Sequence, residues 1–234
     1  MNILNLRIKL LSDTTFGRGD GVAGLVDQEV EYDAYGFPFL HGRTLKGLLS
    51  EECDNIVSNL TDANIRHHWQ CVAGNLFGEP GSNSQDVSKM HVGNACLPED
   101  LRQTLALQLD EENNSRYKLT PQDILYSLTT IRRQTAINSL NGVANPHSLR
   151  SFRVVIRDLH FDAPLFLDCL FADSQINNPE NTEFQNMLAL LAVSTLSLRR
   201  VGSGRNRGRG HVRCILSDEN FTTKYLSRFM ETII

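Results

Sequence analysis

The order in which hydrophobic periodicities follow one another constrains the fold of this chain most. Residues 4–10 alternate between apolar and polar side chains, the period-2 pattern of a half-buried strand. Residues 44–59 and 182–198 instead repeat apolar side chains at helical spacing. Apolar and β-rich runs predict further strands at 90–97, 152–161, 165–171 and 211–216, and an amphipathic helix is predicted at 224–232.

Reduced to its core, the predicted order is strand, helix, strand, strand, helix, strand. This order is typical of a ferredoxin-like (RRM-like) α+β domain, an antiparallel sheet with helices on one face. We expect one domain over residues 1–234, with an insertion at about 98–150. The runs at 152–161 and 165–171 are expected to form a hairpin that turns at Asp162, Ala163 and Pro164. Shorter helices are predicted at 63–72, 101–109 and 121–128, and connections at 12–33, 74–85 and 111–115.

The segment VGSGRNRGRGHVR, residues 201–213, carries the strongest chemical signal. It interleaves four glycines with three arginines, namely Gly202, Gly204, Arg205, Arg207, Gly208, Arg209 and Gly210. Glycine lets the backbone turn sharply and expose its amides, and arginine presents planar donors to phosphate oxygens. The segment precedes a predicted strand and lacks a Lys-Ser/Thr ending, which excludes a Walker A loop. A phosphate-binding loop is therefore favoured over the alternative, a mobile arginine-rich surface loop.

The charged residues are segregated along the chain. The net charge is −4, yet residues 199–213 hold six arginines and residues 124–157 hold five, with no acid in either stretch. The remainder carries 12 basic and 27 acidic groups. This segregation predicts a basic face suited to a phosphate backbone, and an acidic remainder that limits indiscriminate binding.

Three stretches together resemble the RAMP superfamily, the repeat-associated RNA-binding proteins of CRISPR systems. The glycine segment resembles the glycine-rich signature of that superfamily. SDTTFGRGDGVAGLVDQEVEYDAYGFPFLHGRTLKGLL, residues 12–49, resembles the opening of type III backbone subunits, and RRQTAINSLNGVANPHSLRSFRVV, residues 132–155, resembles their thumb hairpin. Many members have Pro-Gly-Ser-Ser where this chain has HGRTLKGLLS, a departure that indicates a divergent, type III-D-like branch.

The resemblance implies a subunit that grips a CRISPR guide RNA without reading its sequence, next to other subunits of a type III effector and a paired target RNA. Arg43 and Lys46 would meet a phosphate at the start of the first helix. The thumb, about Arg133 to Arg150, has an apolar tip suited to insertion between stacked bases, or equally to a protein contact. The implied RNA-binding residues are Arg18, Arg43, Lys46, Arg133, Thr135, Ile137, Arg150, Gly202, Gly204, Arg205, Arg207, Gly208, Arg209 and Gly210.

The resemblance also implies target-RNA cleavage at an aspartate in the loop after the first strand. Asp20, in FGRGDG, matches that position best, and Asp13 is the second choice. The carboxylate, with a divalent metal such as Mg²⁺, would promote attack of a 2′-hydroxyl on the neighbouring phosphate and leave a cyclic phosphate. Asp27 and Asp33 are expected to cap turns or to pair with arginines instead.

Three alternatives stay open from the sequence. The chain could be a non-catalytic subunit that caps the 5′ end of the guide RNA. It could also be a stand-alone CRISPR RNA-processing endoribonuclease, for which His41 and His160 are the candidate acid–base residues. The last alternative is a ferredoxin-like interaction protein with an incidental basic loop and no affinity for RNA.

The remaining residue patterns point to simpler roles. The five cysteines are scattered and odd in number, which argues against a disulfide framework. His67, His68 and Cys71 lie close together, but their spacing matches no standard zinc motif. The sequence contains no apolar run of membrane-spanning length, and its start lacks a signal-peptide cleavage site. We therefore expect a cytoplasmic protein that does not act at a membrane.

Overall fold

The computed structural model describes residues 2–78, 88–110, 119–167 and 182–233. Its strands are β1 (Asn2–Leu10), β2 (Met90–Val92), β3 (Thr129–Gln134), β4 (Arg150–Val155), β5 (His160–Leu167) and β6 (Val212–Leu216). Its helices are α1 (Gly42–Ser58), α2 (Ala63–Phe77), α3 (Glu99–Asp110), α4 (Pro121–Leu128), α5 (Thr182–Ser197) and α6 (Glu219–Ile233).

The main sheet has four antiparallel strands in the order β2-β5-β1-β6. Its central strand β1 has the predicted alternation, since Leu6, Ile8 and Leu10 are fully buried while Arg7 between them is exposed. Helix α5 contacts α1, α2 and α6 and forms one core with the sheet. This arrangement confirms the ferredoxin-like α+β fold.

The predicted hairpin between 152–161 and 165–171 is wrong. Strand β4 ends at Val155 and pairs with β3 in a separate two-stranded sheet, whereas β5 pairs with β1. β5 runs through Asp162, Ala163 and Pro164, and Asp162 exchanges backbone hydrogen bonds with Cys96. The Pro164 carbonyl accepts from the Gly93 amide just beyond the end of β2, whereas the proline nitrogen has no hydrogen to donate. Pro164 therefore lies where the β2–β5 ladder ends.

The other element boundaries differ modestly from expectation. Helix α2 continues to Phe77, so the connection predicted at 74–85 begins too early, and α6 begins at Glu219, five residues before the predicted start. β2 is only three residues long, and Ala95 and Cys96 contribute isolated bridges instead of a continuous strand. The connection predicted at 111–115 and the end of the run at 165–171 lie outside the described residues. Among the helices of the described segments, none has the length and hydropathy to cross a bilayer.

Candidate nucleic-acid interface

Three segments far apart in sequence meet at one surface, which we call the glycine-loop cleft. They are residues 201–210, the loop 12–33 and the β3–β4 hairpin. Ser203 donates its amide to the Thr15 carbonyl at 2.9 Å, and the Gln28 side chain donates to the Ser203 hydroxyl at 3.0 Å. Gln28 also forms a β-bridge to Phe152. The cleft has a volume of about 520 Å³ and is lined by Gln28, Phe152, Gly202, Ser203, Gly204, Arg205, Asn206, Arg207 and Arg209.

The glycines of the loop occupy a conformation that other residues rarely adopt. Gly202, Gly204, Gly208 and Gly210 all have φ between +76° and +77°. At Gly210 a Cβ would lie 2.0 Å from the Val201 carbonyl oxygen, and Gly210 in turn accepts a hydrogen bond from the Val201 amide. At Gly208 no heavy atom lies within 4 Å of the added Cβ. At Gly202 a Cβ would lie 2.4 Å from the Thr15 carbonyl oxygen, so close backbone packing fixes the loop at both ends and leaves it open at Gly208.

Alanine substitutions at these two glycines should separate backbone strain from steric overlap. Gly208→Ala should lower the free energy of unfolding by about 1–2 kcal/mol, the cost of a Cβ in the left-handed region. Gly210→Ala should cost about 1–3 kcal/mol more, because the same strain is joined by overlap with Val201. Urea unfolding of both variants measures the difference. Equal losses would show that the Val201 contact does not constrain the loop.

Arg209 differs from the other arginines that line the cleft because it is buried. It is only 9% exposed, and its guanidinium lies over the Phe152 ring, 4.4 Å from the centroid. Its Nη2 donates to Gln134 Oε1 at 3.4 Å, while Nε and Nη1 are buried without a hydrogen-bond partner in the described residues. Burial, and secondly the Arg207 charge, lower the pKa of Arg209. No carboxylate of the described chain lies within 4 Å, so an incompletely paired positive charge sits beneath the cleft.

The other arginines of the loop stand nearer its surface. Arg205 and Arg207 bound a single 3₁₀ turn, Arg205–Arg207, between Gly204 and Gly208. Arg205 Nη1 lies 3.3 Å from Glu51 Oε2 on α1, and its carbonyl accepts from Arg200 at 2.6 Å. Arg207 is exposed. The loop thus offers two outer arginines above the buried Arg209.

A buried ion pair holds the loop 12–33 against β4. Arg153 Nε lies 2.7 Å from Glu29 Oε1, and these side chains are 5% and 3% exposed. Glu29 Oε1 also accepts from the Val30 amide, and the Arg153 guanidinium lies 5.1 Å from the Tyr126 ring centroid. This pair is not among the residues predicted from the sequence. Its one sequence signal is an arginine within the apolar run Phe152–Ile156, where a charge needs a partner.

The hairpin extends away from the cleft and exposes an apolar tip. Ile137 and Val143 are exposed, and Leu140 is 96% exposed. Thr135 Oγ1 lies 2.7 Å from Ser148 Oγ, which closes the hairpin below the tip. Arg133 and Arg150 are exposed on the same hairpin. These predicted residues therefore share one projecting element, and its base lines the cleft through Phe152.

Neither of the two predicted residues of α1, Arg43 and Lys46, lines the glycine-loop cleft. Thr44, Leu48 and Glu51 face the glycine loop, whereas Lys46 lies around the helix from them and donates to Ser88 Oγ at 2.6 Å. Burial lowers the pKa of Lys46. Arg43 is exposed, but the Gly42 amide at the helix start already donates to Asn94 Oδ1. The structure thus leaves Arg43 accessible and does not bring Lys46 to the cleft.

Of the two candidate catalytic aspartates, Asp20 is the accessible one. Its side chain is 62% exposed, and its oxygens accept from Arg18 Nε at 2.7 Å and Nη2 at 3.2 Å. Hydrogen bonding to Arg18 holds the pKa of the Asp20 carboxyl below its usual range. Asp13 instead is 18% exposed, lies 2.7 Å from Arg132 Nη2, and accepts from the Arg157 amide. Asp13 therefore ties the loop after β1 to the hairpin.

The described residues around Asp20 do not form a cage for a metal ion. Both Asp20 oxygens accept from Arg18. Asp33 accepts from two amides of its own turn and pairs with Arg102, as expected, whereas Asp27 accepts from the Ser151 amide of β4 instead. Nowhere in the described ranges do three His, Cys, Asp or Glu side chains cluster closely enough to hold a metal ion.

The comparisons with known proteins agree with the fold. A family model described as the RAMP superfamily matches residues 7–213. One solved chain, in the cryo-EM structure of the type III-B Cmr-beta bound to cognate target RNA, superposes with a TM-score of 0.61 at 13% identity, covering 96% of this chain and 99% of that one. A chain of the apo Cmr-beta superposes with a TM-score of 0.60 at 13% identity, covering 93% and 98%. No curated protein sequence matches the chain. The family model spans most of its length, and the chain belongs to the RAMP superfamily.

Proposed function

We propose that this chain is a guide-RNA-binding backbone subunit of a type III CRISPR effector complex, and that the glycine-loop cleft grips the RNA backbone. The observation that carries the proposal is Arg209, a buried guanidinium with no carboxylate nearby, placed beneath a cleft that Arg205 and Arg207 border. In a low-dielectric site an unpaired charge attracts a phosphate more strongly than an exposed one does. The exposed Arg133 and Arg150 extend the positive surface onto the hairpin.

The matches to type III-B chains support this assembly through the fold alone, since identity is 13%. They leave the type III-D-like branch, inferred from HGRTLKGLLS, as a prediction. The partners that the proposal implies are the guide RNA, the paired target RNA and the neighbouring subunits of the effector.

The dependence of RNA affinity on salt concentration tests whether the cleft binds the RNA backbone. The logarithm of the affinity for single-stranded RNA should fall linearly with the logarithm of KCl concentration, by about 0.7 for each neutralised phosphate. Replacing Arg205, Arg207 and Arg209 together with glutamine should reduce the magnitude of that slope by up to about 2. An unchanged slope would exclude the loop from the interface.

Cleavage of the paired target is a second proposed activity, for which Asp20 is the candidate. It is an exposed carboxylate paired with Arg18, and when RNA binds Arg18 would transfer its hydrogen bonds to a phosphate oxygen. Asp20 would then accept the proton of a 2′-hydroxyl as that oxygen attacks the adjacent phosphorus. The bond from phosphorus to the 5′-oxygen breaks, and the leaving oxygen takes a proton from water.

In the assembled complex, Asp20→Asn should lower the rate of target cleavage at least about 100-fold, the usual contribution of a positioned base. RNA affinity should stay unchanged. Asp54→Asn, at an exposed position of α1, is the matched control and should cleave normally. Full cleavage by Asp20→Asn would assign the chain a purely binding role, including that of a 5′-end cap.

A further inference from the structure

A second pocket adjoins the glycine-loop cleft and shares Gly202, Ser203 and Arg205 with it. Its volume is about 240 Å³, below the range of sites for drug-sized ligands and suited to one small ring system. Its floor is apolar and belongs to the core, with Phe16 and Leu40 buried. Its polar groups are the side chains of Glu31, His41, Thr44, Ser203 and Arg205.

Glu31 is the residue of this pocket whose carboxylate has only a loose ion-pair partner, His41, and no hydrogen bond from the described residues. Its side chain is 22% exposed, and Oε2 lies 3.7 Å from His41 Nε2, beyond hydrogen-bond distance. Within the described part of the chain, no donor forms a hydrogen bond to the carboxylate. Its backbone is held on both sides, because its amide donates to Phe16 at 2.6 Å and its carbonyl accepts from Phe39 at 3.1 Å. A carboxylate that is fixed by its backbone, turned into the pocket and free of internal hydrogen bonds can accept them from a ligand.

The chemistry of the pocket restricts its occupant. A phosphate is disfavoured because it would face the Glu31 charge directly. A planar ring fits better, since Phe39 and His41 both line the pocket, where they pack edge to face with centroids 5.0 Å apart and offer aromatic surface to a base. A carboxylate accepts from two adjacent N–H groups, and among the RNA bases guanine presents such a pair, N1–H and N2–H, on its Watson–Crick edge.

We propose that this pocket binds one unstacked guanine of the RNA held in the neighbouring cleft, with Glu31 accepting its two N–H groups. The inference rests on the proposed function and adds base recognition to a grip that is otherwise independent of sequence. A subunit that requires guanine must bind a part of the RNA in which guanine is always present. The pocket therefore assigns the subunit to an invariant stretch of its RNA.

The test uses the full chain and oligouridine RNAs in which a single guanine is moved along the strand. One guanine position should bind about tenfold more tightly than oligouridine, the effect of one good bidentate base contact. Inosine at that position, which lacks the N2 amino group, should lose much of the gain. Glu31→Gln should abolish the gain but leave the affinity for oligouridine unchanged. Glu219→Gln removes the same charge from an exposed pair on α6 and should keep the gain.

The outcomes distinguish this inference from the function on which it rests. Equal affinities at every guanine position, alongside tight binding of oligouridine, would overturn the base pocket and favour a cationic side chain of a partner protein as the occupant of the pocket. Failure to bind any RNA at low salt would overturn the proposed function itself. The inosine comparison uses the unmodified protein, so it decides the point even if Glu31→Gln does not fold.

Discussion

Replacing Glu29 with glutamine should lower the free energy of unfolding by about 3–5 kcal/mol, the usual cost of removing one partner from a buried ion pair. Arg153 would remain buried with its charge uncompensated, because Thr129 and Tyr126 are its other side-chain neighbours and neither is anionic. Glutamine can still accept from the Val30 amide, so the substitution isolates the lost charge. Urea unfolding measures the change.

The exposed pair between Arg213 and Glu219 is a close control. Its nitrogen and oxygen are also 2.7 Å apart, but the side chains are 63% and 70% exposed. Glu219→Gln should cost no more than about 1 kcal/mol. If the two substitutions cost the same, burial of the Glu29–Arg153 pair would not be what fixes the loop 12–33 against β4.

Replacing Arg209 with methionine should weaken RNA binding about tenfold or more, because a hydrogen bond to a charged group contributes roughly 1.5–3 kcal/mol. The same variant should keep its free energy of unfolding within about 1 kcal/mol of the unmodified chain. The substitution loses the stabilising contact between the guanidinium and Phe152. It also removes two buried nitrogens that lack hydrogen-bond partners, which offsets that loss. Arg209 is thus expected to contribute to binding rather than to stability.

Two measurements, fluorescence anisotropy with single-stranded RNA and urea unfolding, check both parts of this expectation. Arg213→Met, on the exposed face of β6, is the control and should leave RNA affinity nearly unchanged. If Arg209→Met binds RNA normally but unfolds much more readily, the guanidinium stabilises the fold instead. The main evidence for RNA binding at the glycine-loop cleft would then be removed.

Much of the fold followed from the sequence because the relevant signals are local. The alternation in β1 and the helical spacing of α1 and α5 each lie within one element. The pairing of β5 could not be obtained in this way. Asp162 and Pro164 are residue types that are common in turns. They fit inside β5 because Asp162 bridges to Cys96 and because β2 ends opposite Pro164.

The site was predictable in outline but not in its electrostatics. The glycine loop and the hairpin do meet, through Arg209 and Phe152, as the two acid-free stretches suggested. However, several of those arginines are neutralised by acids from distant parts of the chain, as in Arg132 with Asp13, Arg153 with Glu29, and Arg205 with Glu51. No local pattern reveals such partners, so the basic surface is smaller than the sequence implies.

Photocrosslinking of the chain to a single-stranded RNA that carries 4-thiouridine tests the central claim most directly. Mass spectrometry of the crosslinked peptides should place RNA on the glycine loop 201–210 and on the β3–β4 hairpin, with Phe152 among the modified residues. These crosslinks should diminish in Arg209→Met and persist in Arg213→Met. Crosslinks confined to α6 or to the outer edge of β6 would contradict an RNA interface at the glycine-loop cleft.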